Sequence, residues 1–207
     1  MFTALRATSL TLTHLLREHF IADSNLAPLF DPGAGGTMVI SMNSPQEMDD
    51  LPAQGLSFWL YRVHRDAERL NAPPERLNRF QVARKPLPVI LHYLMTPIVS
   101  LLNPSSPQTE QMILGKGLQV LHDHPIVHGA VLQDDFTGTT VELHARLESL
   151  DLEELSRIFD ALERSYQLSV SYEISVVEIA SGHEPGEAHP VDYVIPQYSV
   201  IVAPPEN

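Results

Sequence analysis

Apolar residues in this chain switch between a helical period of 3.6 and a strand period of 2, in an irregular order. The order reads helix, strands, helix, strand, helix, strand, strand. A doubly wound parallel sheet needs helices and strands to alternate regularly, and they do not. The pattern instead predicts an α+β fold, with a mixed, largely antiparallel sheet and helices packed on one side.

The first helix carries Leu5, Leu12, Leu15, Leu16 and Phe20 on one stripe. A second opens at Ser106-Pro107, an N-cap followed by a first-turn proline. It closes at His124-Pro125, because the residue before a proline is pushed out of the helical region. Gly115 and Gly117 inside it each cost about 1 kcal/mol relative to Ala, which predicts close backbone packing at both. The third helix starts at Asp151 with Glu154 three residues on, a capping-box pattern, and is expected to bury Leu152, Leu155, Ile158, Phe159 and Leu162.

Strands are expected over 37–42, 56–64, 89–95, 139–147 and 168–179. Leu56, Phe58 and Leu60 oppose Trp59, Tyr61 and Val63, so both faces of that strand need cover. Ser169, Ser171, Glu173 and Ser175 read as the polar face of the last long strand. Residues 45–54 read as an acidic turn and 62–85 as an exposed polar excursion. The expected organisation is one α+β domain over 1–180, followed over 181–207 by a C-terminal strand or arm containing 193–202.

The chain has 207 residues and no cysteine. Disulfides, thiolate metal sites and a cysteine nucleophile are therefore excluded. A net charge of −13 argues against nucleic acid as a partner, since that binding needs Lys and Arg on phosphates. The longest apolar candidate, 87–102, is interrupted by Pro88, His92, Pro97 and Ser100, far from a membrane span. The N-terminal stretch lacks the apolar run of a secretory signal. A soluble protein folded in the cytoplasm is expected, without membrane insertion.

Histidines supply the one tempting chemical cluster: His122, His124 and Asp123 together, with His92 and His144 elsewhere. Imidazoles with a carboxylate are ordinary metal ligands, so a small metal-binding protein or metalloenzyme is the alternative reading. At a helix end, however, residues two apart diverge by roughly 200°, and histidines suit the unpaired carbonyls there. Capping is the better account. Adjacent acids such as Asp134-Asp135 and Glu153-Glu154 match no calcium loop, and no serine sits in a nucleophile elbow. Neither catalytic residues, nor a cofactor, nor a metal is expected.

Charge placement says more than charge. Seven of the 13 basic residues lie between positions 62 and 85 (Arg62, Arg65, Arg69, Arg76, Arg79, Arg84 and Lys85), against three acids. From position 133 onward, 15 acids face three bases. Such a bipolar chain is suited to meeting copies of itself or partner subunits in one register.

Three stretches carry a family likeness: Leu87 to Pro97, containing HYLMTP; Glu110 to Pro125, containing LQVLHDHP; and Leu168 to Ile174. With Leu56 to Val63 before them, they resemble the N-terminal domain of the cap, or tail-terminator, proteins of phage-tail-like contractile injection systems. The resemblance implies a structural role rather than catalysis. It implies a homohexameric ring at the end distal to the baseplate, with the inner tube protein and the sheath protein as partners. It also implies a particle that is released from the cell or held at a membrane. The basic segment, and an arm presenting Tyr193, Val194, Ile195, Tyr198 and Val200, are the expected contact surfaces, the arm by adding a strand to a neighbour.

Overall fold

The N-terminal stripe folds as α1 (Ala4–Ala22), which buries more than its leucines. Thr8, Ser9 and Thr13 are buried as well, each donating its hydroxyl to a carbonyl one turn back, so no polar atom is stranded. The computed structural model describes residues 2–71, 73, 75–100 and 106–187. Its elements after α1 are α2 (Ala27–Phe30), β1 (Val39–Ser41), α3 (Pro45–Asp50), β2 (Gly55–Arg65), β3 (Gln81–Val82) and β4 (Leu87–Ile98). There follow α4 (Ser106–Asp123), β5 (Ile126–Val127), β6 (Leu143–Glu148), α5 (Leu152–Ala161), β7 (Val170–Ile179) and β8 (Gly186–Glu187).

Six strands form one sheet in the order β1-β2-β4-β7-β6-β5. Only the β1–β2 pair is parallel, so the sheet is mixed and largely antiparallel, as expected. The long strands β2 and β4 pair from Gly55↔Ile98 to Arg65↔Val89, with an extra residue in β2 at Tyr61. The parallel β1–β2 pairing depends on Gly55, opposite Val39, whose φ of 137° and approach to the Val39 carbonyl leave no room for a Cβ.

Side chains alternate across the sheet and feed two apolar layers. On one side α1 and α4 cover Leu56, Phe58, Leu91, Tyr93, Met95 and Ile174. Phe58 and Tyr93 stack there with ring centroids 4.7 Å apart, and the Tyr93 hydroxyl meets Ser9 at 2.7 Å. On the other side Leu155 and Phe159 of α5 pack on Leu94, bordered by Trp59 and Tyr61. The two long helices thus share a side, while the shorter α5 covers part of the opposite one.

Several sequence expectations change. Residues 45–50 are a helix rather than a turn, started by a full capping box between Ser44 and Glu47. The Asp151–Glu154 capping box forms as expected, but Leu152 is 64% exposed because it faces away from the sheet. A Cβ on Gly117 would fall 2.7 Å from the sulfur of Met95, which explains that glycine. Gly115 meets nothing within 4 Å, so packing does not explain it. Ser169 and Ser171 are buried, not solvated.

By contact density the chain divides into two units, Met1–Ala72 with Pro86–Ala180, and Pro73–Lys85 with Ser181–Asn207. Within the second, β3 pairs with β8 and Arg76 bridges to Val82.

Candidate assembly surfaces and a buried histidine network

The seven basic residues do not form one excursion. Arg62 and Arg65 belong to β2, whose ladder with β4 runs on through its polar end. Arg69 sits in the 3-10 turn Arg69–Asn71, with a guanidinium nitrogen 3.5 Å from a Glu178 carboxylate oxygen. That pair is substantially exposed on both sides and contributes little to stability. Arg76, Arg79, Arg84 and Lys85 lie in the second unit, all exposed. There Arg84 donates to the Glu184 carbonyl at 3.2 Å, and Arg79 stands 5.9 Å from the Phe80 ring centroid. Tyr193, Val194, Ile195, Tyr198 and Val200 lie outside the described residues.

The second unit presents a hairpin that the sequence reading passed over. Asn78 holds its tip: its amide donates to the Gln81 side chain at 2.9 Å, and its carbonyl oxygen accepts from the Phe80 backbone N–H at 2.8 Å. Leu77 and Phe80 are both exposed at this tip.

The histidines are dispersed. His124 follows α4 and its ring Nδ1 lies 2.9 Å from the Val120 carbonyl, the geometry of a helix C-terminal cap. Its ring is 4.7 Å from that of His19. Burial holds the His19 imidazole below its ordinary range, reinforced by His124 and Lys116. His122 lines a groove of about 500 Å³ between α4 and β6, with Leu118, Pro125, Ala145 and Leu147. His144 lies on β6, opposite Ile126 and Ser175. Among the described residues no group of three or more His, Asp or Glu is placed to hold a metal ion.

His92 is a different matter. It is buried on the face covered by α5, with both ring nitrogens engaged. Nδ1 meets Glu148 Oε1 at 2.9 Å and Nε2 meets His64 Nδ1 at 2.6 Å. The other Glu148 oxygen accepts from the Ser171 hydroxyl, which meets the Tyr61 hydroxyl at 3.0 Å. Burial pushes the Tyr61 phenol up. The chain of contacts Tyr61, Ser171, Glu148, His92, His64 ties β2, β4, β6 and β7 together. His64 and Tyr61 of β2 and Glu148 of β6 carry no sequence signal that joins them, since the extra residue at Tyr61 is not visible in the alternation.

Neither partner set resembles a nucleophile with its base. Ser171 contacts the carboxylate rather than an imidazole, so the arrangement orients His92 and fixes strand register instead of activating a hydroxyl. Among the described residues no helix is long and apolar enough to cross a membrane.

Two solved structures share this fold. One is the sheath/tube terminator of the PVC extracellular contractile injection system in its extended state, with TM-score 0.59 and 15% identity. The other is the tube-terminating cap of the anti-feeding prophage, with TM-score 0.59 and 16% identity. Each match covers 96% of this chain, which spans only 64% and 61% of the respective structures' chains. No protein with a curated function matches the chain. The Pvc16 N-terminal domain model matches residues 7–192, nearly the whole sequence. The chain therefore belongs to the Pvc16 N-terminal domain family.

Proposed function

We propose that this chain caps a contractile injection particle. Copies of it form a closed homohexameric ring that terminates the inner tube and anchors the last sheath layer at the end away from the baseplate. The role is structural and non-enzymatic, and its partners are further copies, the tube protein and the sheath protein. It acts as part of a soluble assembled particle.

The observation that carries this reading is the fold shared along 96% of the chain with a sheath/tube terminator and with a tube-terminating cap. The exposed basic residues Arg62, Arg65, Arg69, Arg76, Arg79, Arg84 and Lys85 serve as assembly contacts, and the 190–207 segment as a strand-adding arm.

Electron microscopy of particles lacking this protein tests the proposal. Tubes of uncontrolled length, or sheath loosened at the end away from the baseplate, are expected. Particles of normal length with intact sheath at both ends would overturn it. A truncation before Pro190 should weaken sheath anchoring while sparing the ring.

A further inference from the structure

We propose that the hairpin tip at Leu77–Phe80 is the anchor by which one copy of this chain grips the next, docking on an acid-rimmed apolar spot centred on Leu51. The inference rests on the ring reading and names the contact that builds the ring.

The anchor is preformed. Arg76 bridges to Val82, the Leu77 N–H donates to the Gln81 carbonyl at 3.1 Å, and the Ala83 N–H donates to the Glu75 carbonyl at 2.8 Å. Asn78 closes the tip with the two side-chain bonds described above. Phe80 is 62% exposed and Leu77 is 51% exposed. A tip already held in one shape gives up little conformational freedom on docking. An aromatic side chain flanked by arginines, here Arg76 and Arg79, has the composition of an interface centre rather than of free surface.

The receiving surface is the counterpart in charge and in polarity. Leu51, at the end of α3, is 63% exposed. Arg164 donates to the Pro45 carbonyl at 2.6 Å and pairs with Asp49, which fastens the end of α5 to α3. Asp49 and Asp50 of α3 and Glu163 beside Arg164 are exposed, and Arg164 offsets only one of these three negative charges. The stretch around Leu51 therefore keeps a net negative charge, while exposed Glu75 offsets only one of the two positive charges beside the tip, Arg76 and Arg79. The two patches are different surfaces, so their contact is head-to-tail, the kind that closes into a ring when the rotation between copies allows. The sign of the charges selects this pairing over tip-to-tip contact.

The chain has no cysteine, so introduced thiols report on this contact alone. Full-length Arg79→Cys and Asp50→Cys chains, which keep Phe80 and Leu51, are mixed in equal amounts, oxidised with copper phenanthroline and run on non-reducing gels. A disulfide dimer that forms in the mixture and not with either chain alone is expected as the mixed species, and the double variant should give a ladder ending at the size of the ring. Oligomers seen by light scattering without that mixed species would overturn the inference and leave the ring reading standing. A chain that forms no oligomer, alone or on particles, overturns both. As a second readout, Phe80→Ser should raise the concentration needed for assembly by roughly 30-fold, as loss of an interface anchor does. Its circular dichroism should be unchanged, since Phe80 is 62% exposed and lies outside the buried core. Assembly like that of the unaltered chain would again overturn the inference.

Discussion

Nε2 of His92 lies 2.6 Å from Nδ1 of His64, so one of these two facing nitrogens donates its N–H and the other accepts. On its other side His92 faces Glu148, and both groups are largely shielded from water. Glu148→Ala removes the acceptor for His92 Nδ1 and for the Ser171 hydroxyl together, and should destabilise the fold by about 1–3 kcal/mol. Glu148→Gln keeps one acceptor oxygen and should cost less. Urea midpoints of the two variants measure the difference; equal midpoints would remove the network from the account of stability.

Alkaline pH should unfold this protein through its tyrosines. Burial raises the phenols of Tyr93, Tyr172 and Tyr61 above their ordinary value, for Tyr93 against a smaller opposing effect from Ser9. A raised phenol means the folded state holds its proton more tightly than the unfolded state. The contribution is complete below about pH 10 and is lost as pH rises through the folded values. Thermal melts from pH 8 to 12 should show the loss. Tyr93→Phe should cost about 1 kcal/mol at neutral pH through its bond to Ser9, yet flatten the alkaline decline.

The two helical glycines should part company on substitution. Gly115→Ala meets open space and should stabilise by about 1 kcal/mol, the helix-propensity difference. Gly117→Ala gains the same propensity but must displace the buried Met95 thioether, so its net change should be smaller or negative. Melting temperatures of the two variants check the order.

Asp151→Ala removes the side chain that accepts the Glu154 N–H at 2.8 Å. It should cost about 1 kcal/mol, as lost caps do. Because α5 packs on Leu94, two residues along β4 from His92, the loss should also speed amide exchange along the α5-facing positions of β4. Exchange unchanged at those positions would disconnect the helix from the network.

Patterns of one element were legible in the sequence, and pairings between elements were not. Leu12, Leu15, Leu16 and Phe20 repeat strongly enough to locate α1 without help from the rest of the chain. Six-residue α3 shows no period because only Pro45 and Met48 are buried, and its one readable sign was the Ser44–Glu47 spacing. The expected strand 56–64 and the expected excursion 62–85 overlap at Arg62 to His64, and these residues with Arg65 are strand because β4 continues to supply partners opposite them. His92 shares its residue type with His122, His124 and His144 and not its surroundings, since its ring meets Glu148 and His64. Its actual partners stand 28 and 56 positions away, a distance no local pattern spans. The alternation marks Ser169 and Ser171 as members of a polar strand face, but it says which side a residue takes and not what covers that side, and both are buried.

The extra residue at Tyr61 acts as a phase slip in β2. Leu60 pairs with Tyr93 and Arg62 with His92, so Tyr61 is counted by β2 and skipped by β4. Uninterrupted counting would send His64 to the side of Leu60, and Val63 to the side of Trp59. The slip reverses both: Val63 aligns with Leu91, and His64 arrives on the side where His92 waits. Everything downstream in the strand inherits that half-turn, including Arg65. One inserted residue therefore aims the basic end of the longest hairpin, and its removal would invert that end while leaving every residue's identity in place.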